Sequence, residues 1–326
     1  MQNNDSFRAH ALRNFILLAA LVIIIAAGAF LFWRSSKGPA GTAPTSTTTT
    51  ATFDPLNAAY VIDGTAVGLT NGSAEQDAAP GSAEKISTKI FGQPVIGDIN
   101  GDGRNDAAVI VTQSGGGSGT FYYAAAALDA GNGTASGTNA IFLGDRIAPD
   151  TMQIANGVVT VNYADRTASE PMSAAPSVGV SKYLVAAGGT LYDVPVGDLY
   201  PLASGIAWGD MSAATIAPGE QNVPGPVAGI KIVSQPITGI TDLSAPSAPF
   251  ESYYKKKLAA AGWTVDNSLA AGGPGADITG YKKGNNYVIL EYTSVFKNNG
   301  GGTAPESCPC DLTFSIFAGT SLLGGQ

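Results

Sequence analysis

Asp98-Ile99-Asn100-Gly101-Asp102-Gly103-Arg104-Asn105-Asp106 sets oxygen-bearing side chains at positions 1, 3, 5 and 9 around a glycine at position 6. That spacing wraps a chain around a hard cation such as calcium. Asp98, Asn100, Asp102 and Asp106 offer side-chain oxygens, and Arg104 offers its carbonyl while its charge is expected to point to solvent. Val109 stands at position 12, where a helical calcium loop carries Glu. The flanks decide what the loop joins. Ile90-Phe91 and Pro94-Val95-Ile96 read as extended chain, and Ala107 to Thr112 is a short apolar run containing β-branched residues. The expectation is strand, loop, strand. The alternative is an Asx- and Gly-rich turn that binds nothing.

In this form the loop resembles the calcium loops of FG-GAP repeats in integrin-like β-propellers and, more loosely, those of dockerins. The resemblance implies a structural Ca2+ held by Asp98, Asn100, Asp102, the Arg104 carbonyl and Asp106. A propeller needs several such loops, and the chain has one. Further phrases reach beyond the loop: Tyr60-Val61-Ile62-Asp63-Gly64, Ala79 to Ala83, Gly117 to Tyr123, Asn139 to Arg146 and Val161 to Arg166. Together they resemble a family of uncharacterised exported or membrane-anchored bacterial proteins. That resemblance implies an exported bacterial setting and carries over no reaction.

Strand candidates spread outward from the loop at Tyr60-Val61-Ile62, Phe121 to Leu128, Ala140 to Leu143, Val158 to Tyr163 and Tyr183 to Ala186, with Asn156-Gly157 as a hairpin turn. They define a β-rich calcium-loop domain over 53–200. Residues 201–226, with repeated Pro, Gly and Ala, read as a connector. An α+β domain over 227–322 follows. Its helix carries Phe250, Tyr253, Tyr254, Leu258 and Ala261 at helical spacing and stops at Gly262. The phrase Tyr253 to Trp263 resembles small α+β modules of bacterial lipoproteins and other envelope proteins. The lysines Lys255, Lys256 and Lys257 read as a solvated face.

At the other end, Phe15 to Trp33 is an uncharged and overwhelmingly apolar run, long enough as a helix to cross a hydrocarbon core of about 30 Å. A cleaved signal peptide fits less well, because Arg34 and Lys37 bound the run and no small-residue cleavage pattern ends it. The expected fold class is therefore an N-terminal single transmembrane helix, a mainly β domain and a small α+β C-terminal domain. Residues 1–14 form a short tail and 34–52 a disordered Ser/Thr/Pro/Gly linker. Arg8 and Arg13 nearly balance Arg34 and Lys37, so the acidic, lysine-poor body decides the orientation. The expectation is a single-pass plasma (inner) membrane protein with a cytoplasmic N-terminus and exported C-terminal domains.

A formal net charge of -8 and 13% charged residues leave no basic stripe for phosphates, which excludes nucleic acid as a partner. The one histidine, His10, falls in the expected cytoplasmic tail, so no exported histidine serves catalysis. Asp145, Asp165 and Glu170 are the carboxylates open to acid–base work on a glycan, with pairing to Arg146 and Arg166 as the ordinary explanation. Cys308 and Cys310 flank Pro309, so a local disulfide is expected ahead of two free thiols. The function expected is presentation of binding or scaffolding domains to an envelope protein or a glycan. A carboxylate-based carbohydrate-active hydrolase and a structural spacer are the alternatives, and a large exposed aromatic groove favours binding over a spacer.

Overall fold

The computed structural model describes residues 53–217, 219–273, 275–298 and 307–323. An antiparallel hairpin, β1 (Ala59–Ile62) and β2 (Thr65–Gly68), opens the fold. A six-stranded sheet follows: β3 (Ser73–Asp77), β4 (Lys85–Gly97), β5 (Asp106–Gly115), β6 (Phe121–Asp129), β7 (Ala135–Gly137) and β8 (Ile141–Asp145). Strands β7 and β8 both pair with β6.

The apolar run after the acidic loop is β5, central between β4 and β6. Its residues alternate between two cores, as period-two side chains must. Ala107, Val109 and Val111 meet Tyr60, Ile62 and Val67 of the hairpin, whereas Ala108 and Ile110 face the next sheet. That sheet is a four-stranded meander of β9 (Ala148–Ala155), β10 (Val158–Asp165), β11 (Val178–Ala187) and β12 (Thr190–Val194). Val159, Val161 and Leu184 face the first sheet, and Val158, Val185 and Val194 face the other way. Burial on both faces explains why Val158, Val159, Thr160 and Val161 are buried in succession.

Downstream lie β13 (Trp208–Ile216), β14 (Val227–Ser234), β15 (Ile237–Ile240), the helix α1 (Ser244–Ala260), β16 (Thr264–Val265), β17 (Ala271–Gly273), β18 (Ala276–Lys283), β19 (Asn286–Asn298) and β20 (Ser307–Ser321). The strands form one eight-stranded sheet with the path β13-β14-β20-β19-β18-β16. Helix α1 buries Phe250, Tyr254 and Leu258, spaced four apart, against Ile230, Leu290, Phe314 and Ile316. Gly262 ends the helix at φ +82°, and Trp263 folds back with its N–H donating to the Leu258 carbonyl. The core under α1 also contains Val158, Val185, Val194, Val196 and Leu199.

The expected fold class needs correcting. Strands make up 56% of the structure and helical residues 12%, so the class is mainly β. The C-terminal region, expected as a small α+β domain, is an eight-stranded sheet carrying one α-helix among the described residues. A good amphipathic phrase identified the helix but gave no measure of the sheet it lies on. Among the described residues no helix is long and apolar enough to cross a membrane. The expectation of a membrane-spanning fold therefore has no support in the structure. The tail 1–14, the Phe15–Trp33 span and the linker 34–52 lie outside the described residues.

Candidate functional site

The acidic loop joins β4 to β5 and is wired internally. The N–H groups of Gly101 and Gly103 donate to the two carboxylate oxygens of Asp98, at 2.7 and 2.9 Å. Asn100 accepts from the Asp102 N–H, and Asp102 accepts from the Arg104 N–H. The Arg104 side chain is 44% exposed. It pairs with Asp102 at 2.5 Å and donates through Nε to the Asp129 carbonyl at 2.9 Å. Asp106 is fully buried and accepts three backbone N–H groups, from Ile99, Asn100 and Asp129. These bonds hold the loop against the end of β6.

Among the described residues no group of three or more His, Cys, Asp or Glu side chains is placed to hold a metal ion. That finding overturns the expectation of a metal-binding cluster of acidic side chains; the residues expected to hold Ca2+, namely Asp98, Asn100, Asp102, Arg104 and Asp106, are hydrogen-bonded within the loop and to the end of β6. Asx side chains at this spacing bond the backbone two or three residues on as readily as they bond a cation. N–H donors, together with Arg104, hold the Asp102 carboxyl below its usual range, the Arg104 backbone N–H having the largest effect.

The loop also lines a cleft of about 470 Å³, where Asp98, Asn100 and Gly101 face Asn156, Gly157 and Ala213 to Thr215. The Asn156-Gly157 turn has φ of 50° and 77°, the pair a tight hairpin requires. A Cβ on Gly157 would sit 2.9 Å from that of Ala213, so glycine is also needed for this close approach.

The three carboxylates considered for hydrolysis are engaged in structural bonds. Asp145 pairs with Arg146 at 2.9 Å and accepts the Thr120 N–H. The Arg146 hydrogen bond is the chief cause of its lowered pKa. Asp165 accepts the Arg166 backbone N–H, while the Arg166 guanidinium donates to the carbonyls of Asp145 and Arg146. Glu170 accepts the N–H and hydroxyl of Thr167, the N–H most lowering its pKa. Cys308 and Cys310 form a disulfide.

Sequence reasoning missed an aromatic groove at the far end of the first sheet. Its volume is about 640 Å³, and Phe121, Tyr123, Phe142 and Ile86 line it with Asp63, Glu84 and Gln113. Tyr123 and Phe142 are cross-strand partners with ring centres 5.4 Å apart, and Phe121 lies 6.4 Å from Phe142. Tyr123 is buried, whereas Phe121 and Phe142 are exposed despite their size, by 42% and 49%. The Tyr123 hydroxyl donates to Asp63 at 2.7 Å; burial first, and then this bond, pushes its pKa up. A signal was present in the sequence. Phe142 stands between Ile141 and Leu143, on the opposite parity from two residues that a buried strand turns inward.

Comparison of the chain with protein-family models, with curated proteins and with solved structures finds no match in any of the three.

Proposed function

We propose that the chain is a non-catalytic binding module and that the groove around Phe121, Tyr123 and Phe142 is its recognition surface. The observation that carries this reading is the exposure of the Phe121 and Phe142 rings, packed with the buried Tyr123 ring, in a concavity walled by hydrogen-bond acceptors. A soluble surface seldom leaves such rings uncovered without a partner. Asp63, Glu84 and Gln113 supply the acceptors, so the ligand needs a flat apolar face edged with donors. A neutral sugar ring has both. Its C–H face lies on the aromatic rings and its hydroxyls donate to the carboxylates. The net charge of -8 disfavours anionic glycans. The Cys308–Cys310 disulfide fits an oxidising compartment, where such glycans occur.

The test is calorimetric titration of the full chain with neutral oligosaccharides, repeated with Phe142→Ala and Phe121→Ala. Each truncation is expected to weaken binding about tenfold or more, for a stacked ring worth about 1–3 kcal/mol by analogy with aromatic base stacking. Absence of heat with every oligosaccharide, or equal affinity in both variants, rejects the reading.

A further inference from the structure

Cys308 and Cys310 are bridged although both stand on β20. A crosslink stabilises a fold chiefly by restricting the unfolded chain, and the restriction shrinks with the loop that it closes. This loop holds one intervening residue, Pro309. Nor does the bridge join separate elements. Cys310 is already held on both sides by backbone pairing, opposite Ile240 of β15 and Phe296 of β19. A bond that adds so little to the fold is free for a chemical role.

The two ends of the bridge differ. Cys308 is half-exposed, whereas Cys310 is fully buried. A thiol arriving from solvent therefore meets the bridge at Cys308. The Cys310 sulfur lies 3.8 Å from the Ile240 carbonyl oxygen. In the disulfide that sulfur has no proton to give, but as a thiol its S–H donates to this acceptor. The fold thus holds a partner that only the reduced form can use. Stabilising the reduced form makes a disulfide a stronger oxidant.

We infer that the Cys308–Cys310 bridge is a thiol–disulfide exchange site that oxidises an exposed peptide dithiol. One substrate thiolate attacks the Cys308 sulfur and the S–S bond breaks. Its electron pair leaves on Cys310, which takes up the proton released by the attacking thiol. The second substrate thiol then attacks the substrate sulfur of the mixed disulfide, and Cys308 departs as a thiol with the second proton. The substrate gives up two electrons and two protons and becomes a disulfide, while the bridge gains them and becomes two thiols. Each bridge acts once. The site is independent of the groove around Phe142.

The test mixes the full chain with one equivalent of a synthetic peptide carrying two thiols, and mass spectrometry after alkylation counts the thiols on each. Wild type is expected to oxidise the peptide and to gain two alkyl groups itself, whereas the Cys308→Ser, Cys310→Ser double variant leaves the peptide reduced. With oxidised glutathione as probe, Cys310→Ser should form a mixed disulfide at Cys308 at least about tenfold faster than Cys308→Ser does at the buried Cys310. Urea should erase that difference. The double variant should melt close to wild type, since the bridge closes so short a loop. Circular dichroism confirms that each variant is folded. Three outcomes overturn the inference: a peptide left reduced by wild type, equal rates for the two folded single variants, or a double variant that melts well below wild type because the bridge is structural.

Discussion

Asp106 shows how a residue's type can be legible in the sequence while its surroundings are not. Its place at position 9 of the loop marked it as a cation ligand, yet its carboxylate is spent on three backbone N–H groups inside the fold. Asp106→Ala strands those donors, at about 1–3 kcal/mol each, so a loss of about 3 kcal/mol or more is expected in denaturant unfolding. Asp106→Asn keeps one acceptor oxygen and should lose less. Because the loop is ordered by its own chain, metal-stripped protein is expected to melt at the same temperature with or without millimolar calcium. A calcium-dependent rise of several degrees would reinstate the cation. The spacing of acidic residues was legible in the sequence. What filled their oxygens was not, since the Asp129 N–H arrives from 23 residues away.

Strands and turns were more legible than their surroundings. The run Ala107 to Thr112 and the Asn156-Gly157 turn state their conformation locally, through β-branching and left-handed backbone preference. Close approaches between strands leave no such local mark. Gly229 of β14 is opposite Gly319 of β20, and the Phe317 ring covers both. A Cβ at Gly229 would meet the Ala318 carbonyl oxygen at 2.1 Å. Gly229→Ala is expected to destabilise by about 2–3 kcal/mol in urea titration, since strand backbone rather than a mobile side chain must move. Retention of full stability would show that the two strands can separate there.

The end of β8 makes a pH prediction. Asp145 has its pKa lowered by Arg146, so its contribution is present above the unfolded Asp value of about 3.9 and is lost as pH falls through the folded value. The pair is partly exposed, which limits the effect to about 1 kcal/mol or less. Asp145→Asn should flatten the dependence of Tm on pH between about 5 and 2, lowering Tm at the upper end of that range and leaving it almost unchanged only at the acid end, where Asp145 is protonated in both states. A variant with the same acid slope as wild type would show that the Arg146 pair is energetically silent.

At the scale of the molecule, the cores explain why a linear reading stops short. The core beneath α1 gathers Val158 and Leu199 from the first part of the described chain with Phe314 and Ile316 from the last. Local patterns mark each residue as apolar and say nothing of which distant face it meets. A chain stopped before Ser307 lacks β20, which lies between β14 and β19. It is expected to lose cooperative unfolding of this sheet, with new dye-binding apolar surface and early proteolysis within 208–298. An unchanged unfolding transition would mean that the remaining strands close without it.

The same position of β20 has a consequence for biosynthesis. A ribosome releases β14 and β19 before the strand that must lie between them, so both wait with unpaired backbone edges. At about 5–20 residues per second the wait for β20 to follow β14 is several seconds, long compared with the microseconds a hairpin takes to form. Whatever shields nascent chains in the cell has its main task with this protein in that interval.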